Sequence, residues 1–182
     1  MDPAIEKTKP YTIYDIYNLP EGQRAELIDG QLYMMSSPGR MHQKLVKDFT
    51  FFIERYIRDH HGECEVYPAP FAVFLHSDKE TYVEPDISVI CDKQKLTDEG
   101  CNGAPDWIIE VVSPSSRQRD YFKKLLLYSA AGVREYWIAD IGKNRITVYD
   151  FERDTVEEYS FSDKINAGIW NDFELDLSMI LL

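Results

Sequence analysis

Apolar residues recur along this chain with two different periods, and the change from one to the other marks its elements. Leu45, Val46, Phe49, Phe52, Ile53, Tyr56 and Ile57 return every three or four residues, which predicts an amphipathic helix closed by His60, His61 and Gly62. A shorter helix is expected over Tyr11 to Tyr17, begun by a Thr12 cap and stopped by Leu19-Pro20-Glu21-Gly22. Between them Ala25 to Ile28 and Gln31 to Met35 flank Asp29-Gly30, a pair suited to the positive φ angles of a tight hairpin turn. The stretch from Cys64 to Leu75 is strand-like, with Pro68 and Pro70 pointing to an edge or irregular part, and 76–80 is a loop.

Further on the period disappears. Val83 to Cys91 and Trp107 to Val112 are near-continuous apolar runs, as expected of strands buried on both faces, and a polar link over 92–105 joins them. Ser113, Ser115 and Ser116 offer hydroxyl caps for a helix over roughly 117–131 that Gly132 ends. Glu135 to Asp140 is another central strand, reached directly from that helix. Strand, helix and strand in close succession imply a right-handed crossover and parallel pairing. Arg145 to Asp150 and Thr155 to Phe161 then read as a C-terminal hairpin. The fold class is therefore α/β (α+β), a mixed sheet flanked by helices, with added hairpins near both ends.

At 182 residues the chain is expected to form a single domain over 1–182, with 1–10 a flexible N-terminus. No segment resembles a signal peptide or a membrane span, so a soluble, cytoplasmic protein without a membrane partner is expected. Cys64, Cys91 and Cys101 are odd in number, widely spaced and lack a CxxC pair, so three thiols are expected and neither a disulfide framework nor a zinc cluster. The net charge of −12 opposes nucleic-acid binding on average. Two basic groups run against it: Arg40, Lys44, Lys47, Arg55 and Arg58, then Arg117, Arg119, Lys123 and Lys124. Both are equally well read as solvated helix faces.

Two acids stand where acids are out of place. Asp86 and Glu110 sit inside apolar strands, where a carboxylate is costly unless it is paired, hydrogen-bonded or bound to a metal. Each alone reads more simply as a strand-end residue. On the following helix Asp120, Lys124 and Tyr128 are four apart and share a face, either as an ordinary ion pair beside a half-buried tyrosine or as a face turned toward the two acids.

An ordered set of segments adds to this: Glu26-Leu27-Ile28-Asp29-Gly30, His42, Pro85-Asp86, Gly103-Ala104-Pro105-Asp106, Glu110 to Ser115, Asp120, Lys124, Tyr128 and Gly132 to Trp137. Together they resemble the Uma-two family of "putative restriction endonucleases", over most of the chain. That family is similar to the PD-(D/E)XK nucleases, in which a proline-aspartate and a later Glu-x-Lys hold one or two metal ions on a mixed sheet. The sequence departs from the pattern at Val112, where the lysine belongs, and the resemblance implies that the lysine has moved to Lys124. Lys123 is about 100° round the helix from it.

The resemblance implies a metal-dependent endonuclease that hydrolyses DNA phosphodiester bonds. Asp86, Glu110 and the backbone carbonyl of Val111 would bind Mg²⁺ or Mn²⁺, and Lys124 would orient or help deprotonate the attacking water and stabilise charge on the phosphate. Glu26 would be a further acid near the metal. His42 either points into the same cleft or only begins its helix. A homodimer would suit double-strand cleavage, since one site cuts one strand. The alternative is a nuclease-fold binding or regulatory module with little or no catalysis, to which the acidity points.

Overall fold

Leu45, Phe49, Ile53 and Ile57 do lie on one face of a 20-residue helix, and the computed structural model shows the sheet they cover. Residues 10–76, 80–114, 116–170 and 172–180 are described. Residues 1–9 of the tail expected over 1–10, the Ser115 cap and the loop positions 77–79 lie outside the described residues.

The chain opens with helix α1 (Ile13–Tyr17), the hairpin β1 (Ala25–Ile28) and β2 (Gln31–Met34), and helix α2 (Arg40–Asp59). Strands β3 (Glu65–Pro68), β4 (Val73–Phe74), β5 (Ile87–Ile90), β6 (Leu96–Thr97), β7 (Gly100–Asn102) and β8 (Trp107–Val111) follow. A π-helical segment, Arg119–Lys124, leads into helix α3 (Leu125–Ala131), and then come β9 (Glu135–Asp140) and β10 (Arg145–Asp150). Strands β11 (Thr155–Tyr159), β12 (Lys164–Asn166) and β13 (Glu174–Asp176) complete the order. Among the described residues no helix is long and apolar enough to cross a membrane.

Six strands form the central sheet in the order β11-β10-β9-β8-β5-β3, and within it only β8 and β9 pair in parallel. They are the two strands joined by the helical crossover, and every residue of both is buried. Side chains alternate across a strand, so Trp107, Ile109 and Val111 pack toward α2 while Ile108 joins Tyr128, Tyr136 and Ile138 on the other face. Glu110 shares the side of Ile108. That parity aims its carboxylate away from α2 and toward the crossover helix.

The Asp29-Gly30 hairpin forms as expected, with φ of 49° and 71°, the pair of positive angles that a two-residue turn of this hand requires. Strand β1 is buried throughout, and Leu27 bridges to Tyr82. This carries Glu26 inward.

Four local expectations are corrected. The strand expected from Val83 starts at Ile87, because Pro85 has no N–H for a ladder, and Val83 makes only an isolated bridge to Val73. The link over 92–105 holds a 3₁₀ turn (Lys93–Lys95) and the strands β6 and β7, which join β4 in a small sheet too short-stranded to show a period. The β10–β11 hairpin extends the central sheet instead of being an appendage, and the β12–β13 pair brings Phe161, Ile165, Phe173 and Leu175 against the α2 face. Cys64 and Cys91 are joined as a disulfide: they flank the paired ends of β3 and β5, and the register closes a separation of 27 residues to a Cα distance of 3.9 Å. Cys101 is the free, buried thiol.

Glu135 at the start of β9 clasps the C-terminal segment. Its Oε1 accepts from Trp137 Nε1 at 2.6 Å and its Oε2 from the Ile169 backbone N–H at 3.0 Å. Burial pushes this carboxyl up to about 7, with the charge of Asp150 adding to it and the hydrogen bonds opposing. Folding thus favours its protonated form. The stability it contributes is fully present below the ordinary value near 4.5 and is lost as pH rises through about 7. Between pH 8 and pH 5 the parent should gain on the order of 2–3 kcal/mol from this group. In Glu135→Gln, which cannot titrate, urea melts should show a rise smaller by that amount; equal slopes would sink the assignment.

Candidate active site

Glu110 projects from β8 into a buried cluster. Its Oε1 accepts from Lys124 Nζ at 2.7 Å and from the Tyr128 hydroxyl at 2.8 Å. Lys124 Nζ is also 2.7 Å from Glu26 Oε1 and 3.9 Å from Asp120 Oδ1, its neighbour one turn earlier. Asp120 is placed in turn by its own backbone carbonyl, which accepts from the Tyr136 hydroxyl at 3.1 Å. Three carboxylates therefore surround one ammonium group that is 2% exposed.

The charges follow from this crowding. Burial drives Glu110 well above the usual carboxylate range; Lys124 pulls it down, and Asp86, Asp120 and Glu26 push it up further. Burial also raises Asp120, against Lys124. For Lys124 burial acts downward, but Glu110, Glu26 and Asp120 outweigh it and raise its pKa, so it keeps its proton.

Asp86 stands just before β5 and faces the same space. Its Oδ2 accepts from the Val111 backbone N–H at 2.8 Å and lies 3.2 Å from His42 Nε2. His42 is half-buried, which lowers its pKa, yet the hydrogen bond and charge of Asp86, with the backbone of Val111 and the charge of Asp120, raise it overall. Of the two roles open to His42, the structure places it in the cleft.

That cleft holds about 320 Å³ and is lined by Glu26, His42, Asp86, Glu110, Val111, Asp120 and Lys124. Tyr128 lies behind it and reaches it only through its bond to Glu110. Lys123 is exposed and turns to Gln31 and Tyr33. The basic residues of α2 are largely spent on their own helix, as Lys44 with Asp48, Arg55 with Asp59 and Arg58 with Glu54, so this group is a solvated face.

Arg119 is the cleft residue that helical spacing misses. Its Nε is 3.4 Å from Glu26 Oε2, although in an α-helix a residue five before Lys124 would point elsewhere. The π segment, with its wider turn, brings residues five apart onto one side. Arg24, paired with Glu84, lines the rim.

Among the described residues no three His, Cys, Asp or Glu side chains converge as a metal cage. Asp86, Glu110 and Val111 line the cleft together, and hard oxygens such as theirs suit a cation that retains several waters. Glu26 Oε2 and Asp120 Oδ1 are buried without a hydrogen-bond partner among the described residues, as befits a site built to receive charge or water.

Residues 11–178 match the pattern of the Uma2 family, described as "Putative restriction endonuclease". An uncharacterized protein of Synechocystis sp. is 28% identical over 108 residues, covering 59% of this chain. The chain spans about half the length of that relative, 55%. The fold is similar to the crystal structure of a protein from Anabaena variabilis described as "a putative nuclease belonging to DUF820", with a TM-score of 0.76. Identity is 19%, with 94% of this chain and 97% of that one covered, so this likeness shows the fold.

Proposed function

This chain belongs to the Uma2 family, and from that premise we propose that it is a metal-dependent nuclease that hydrolyses DNA phosphodiester bonds. The observation that carries the reading is the meeting of Asp86, just before β5, and Glu110, from the neighbouring β8, with a charged lysine in one cleft. Asp86, Glu110 and the Val111 carbonyl would hold Mg²⁺ or Mn²⁺. When bound, such an ion supplies Lewis-acid charge at the phosphate and lowers the pKa of a water.

The chain's own residues divide the remaining work. Glu26 and Asp120 hold Lys124 in place and keep it charged. The carboxylates around Lys124 favour its charged form, which suits it to orienting the attacking water and stabilising charge on the phosphate more than to taking a proton. The Val111 N–H orients Asp86, and His42, when protonated, adds positive charge beside it. A double-strand break would take two copies of the chain.

The net charge of −12 favours the second reading, a nuclease-fold module that binds or regulates without cutting. Supercoiled plasmid incubated with the protein in chelator, Mg²⁺ and Mn²⁺ separates the two: the nuclease nicks or linearises it only with metal. Metal at about ten times its dissociation constant should also stabilise the fold by roughly 1.4 kcal/mol, a rise of about 3–6 °C for a chain of this size. Asp86→Asn should respond far less. A parent that neither cuts nor responds to either ion would overturn the proposal.

A further inference from the structure

A second groove, of about 660 Å³, shares Pro114 with the cleft as a lining residue. Its walls are the π segment and the outer face of β10, with Lys143 at the turn between β9 and β10. Three cations line it, Arg117, Lys143 and Arg145, against one acid, Glu158. With Asp140 behind Arg117 and Glu158 on Arg145, the surplus is one positive charge, at Lys143, in a chain with 32 acidic and 20 basic residues.

These cations are held in order. Arg117 Nη1 lies 2.9 Å from the buried Asp140, Arg145 pairs with Glu158 at 2.8 Å, and Lys143 Nζ sits 5.0 Å from the centre of the Tyr121 ring. Phe122, on the groove wall, is 66% exposed. An exposed ring beside a cation offers a face on which a planar group can stack. Thr147 is 2% exposed, lines the same groove, and its Oγ1 has no hydrogen-bond partner among the described residues.

We propose that this groove carries a single strand of DNA leading from the active cleft, with phosphates against Lys143, Arg117 and Arg145 and a base stacked on Phe122. It rests on the nuclease reading for its direction, since it takes the strand from the cleft. Cations supply the sequence-independent attraction for phosphates. An aromatic face serves an unpaired base, because every base offers a π surface once it leaves the duplex stack.

The test is fluorescence anisotropy of a labelled oligothymidylate in chelator, so that binding is read without cleavage. The parent should bind, with log Kd varying with log salt by about 0.7 for each phosphate neutralised, or roughly 1.4–2.1 for two or three. Phe122→Ala and Lys143→Glu should each weaken binding by about tenfold. Both side chains are exposed, so thermal melts should not move. An unlabelled duplex should compete poorly. A parent that does not bind, or two variants that bind as the parent does, would give the groove to another occupant and end the proposal. If the variants lose binding while the parent cuts plasmid neither with metal nor without it, the groove stands and the nuclease reading falls. If the parent cuts and the variants bind and cut equally well, the groove alone falls.

Discussion

Lys124→Met should abolish cleavage and cost about 3–5 kcal/mol of stability at neutral pH, the range for removing one partner of a buried ion pair. Methionine keeps most of the volume of the lysine stem, so the loss reports charge more than packing. The ammonium group is the counter-ion for Glu26 and Glu110, both at 2.7 Å, and without it those carboxylates and Asp120 face one another in a buried place. For a chain of this size the melting temperature should fall by roughly 6–20 °C.

The deficit should shrink on acidification. Glu110 and Asp120 already have raised pKa values, so the fold favours their protonated forms, and stability tied to them returns as pH falls. Urea melts of parent and variant at pH 8 and pH 5 check both points. Lys123→Ala is the control: its side chain is exposed, and it should change stability by no more than about 0.5 kcal/mol. Equal losses in the two lysine variants would mean that the cluster does not depend on Lys124.

Glu110→Gln should have the opposite balance, with activity lost and fold kept. The amide oxygen can still accept from Lys124 and Tyr128, and a neutral side chain is what burial beside Asp86, Asp120 and Glu26 already favours at this position. The melting temperature should therefore stay level or rise slightly. Cleavage should drop by at least ~10²–10³-fold, the scale for removing one electrostatic group from a reaction centre. Asp86→Asn should behave alike, because its amide oxygen can still accept from the Val111 N–H while the charge is gone. Full plasmid cleavage by either variant would remove Asp86 and Glu110 from the site.

The two variants together distinguish a reaction centre from a structural ion cluster. A cluster kept only for stability would lose stability whichever member changed. A reaction centre carries excess negative charge that the fold tolerates for the sake of a ligand. Glu26, Glu110, Asp120 and Asp86 outnumber Lys124 and Arg119 in the cleft, and the two variants test whether that excess serves a ligand.

The sequence by itself determined what short-range periods can carry. The stripe on α2, the Asp29-Gly30 turn, the buried strands β8 and β9 and the parallel crossover between them all follow from neighbours a few residues apart. The same spacing put Asp120, Lys124 and Tyr128 on one face, and the misplaced acids Asp86 and Glu110 stood out because apolar strands rarely hold a charge. Only the tertiary structure decided how these pieces meet. Glu26 reaches Lys124 because a hairpin bridges to Tyr82, Arg119 enters the cleft because the helix widens to a π turn, and Cys64 meets Cys91 because β3 and β5 pair in one register. Local patterns record which way a side chain faces, since the backbone repeats every two or 3.6 residues. They carry no record of what stands opposite, which is set by register and packing between segments far apart in the chain.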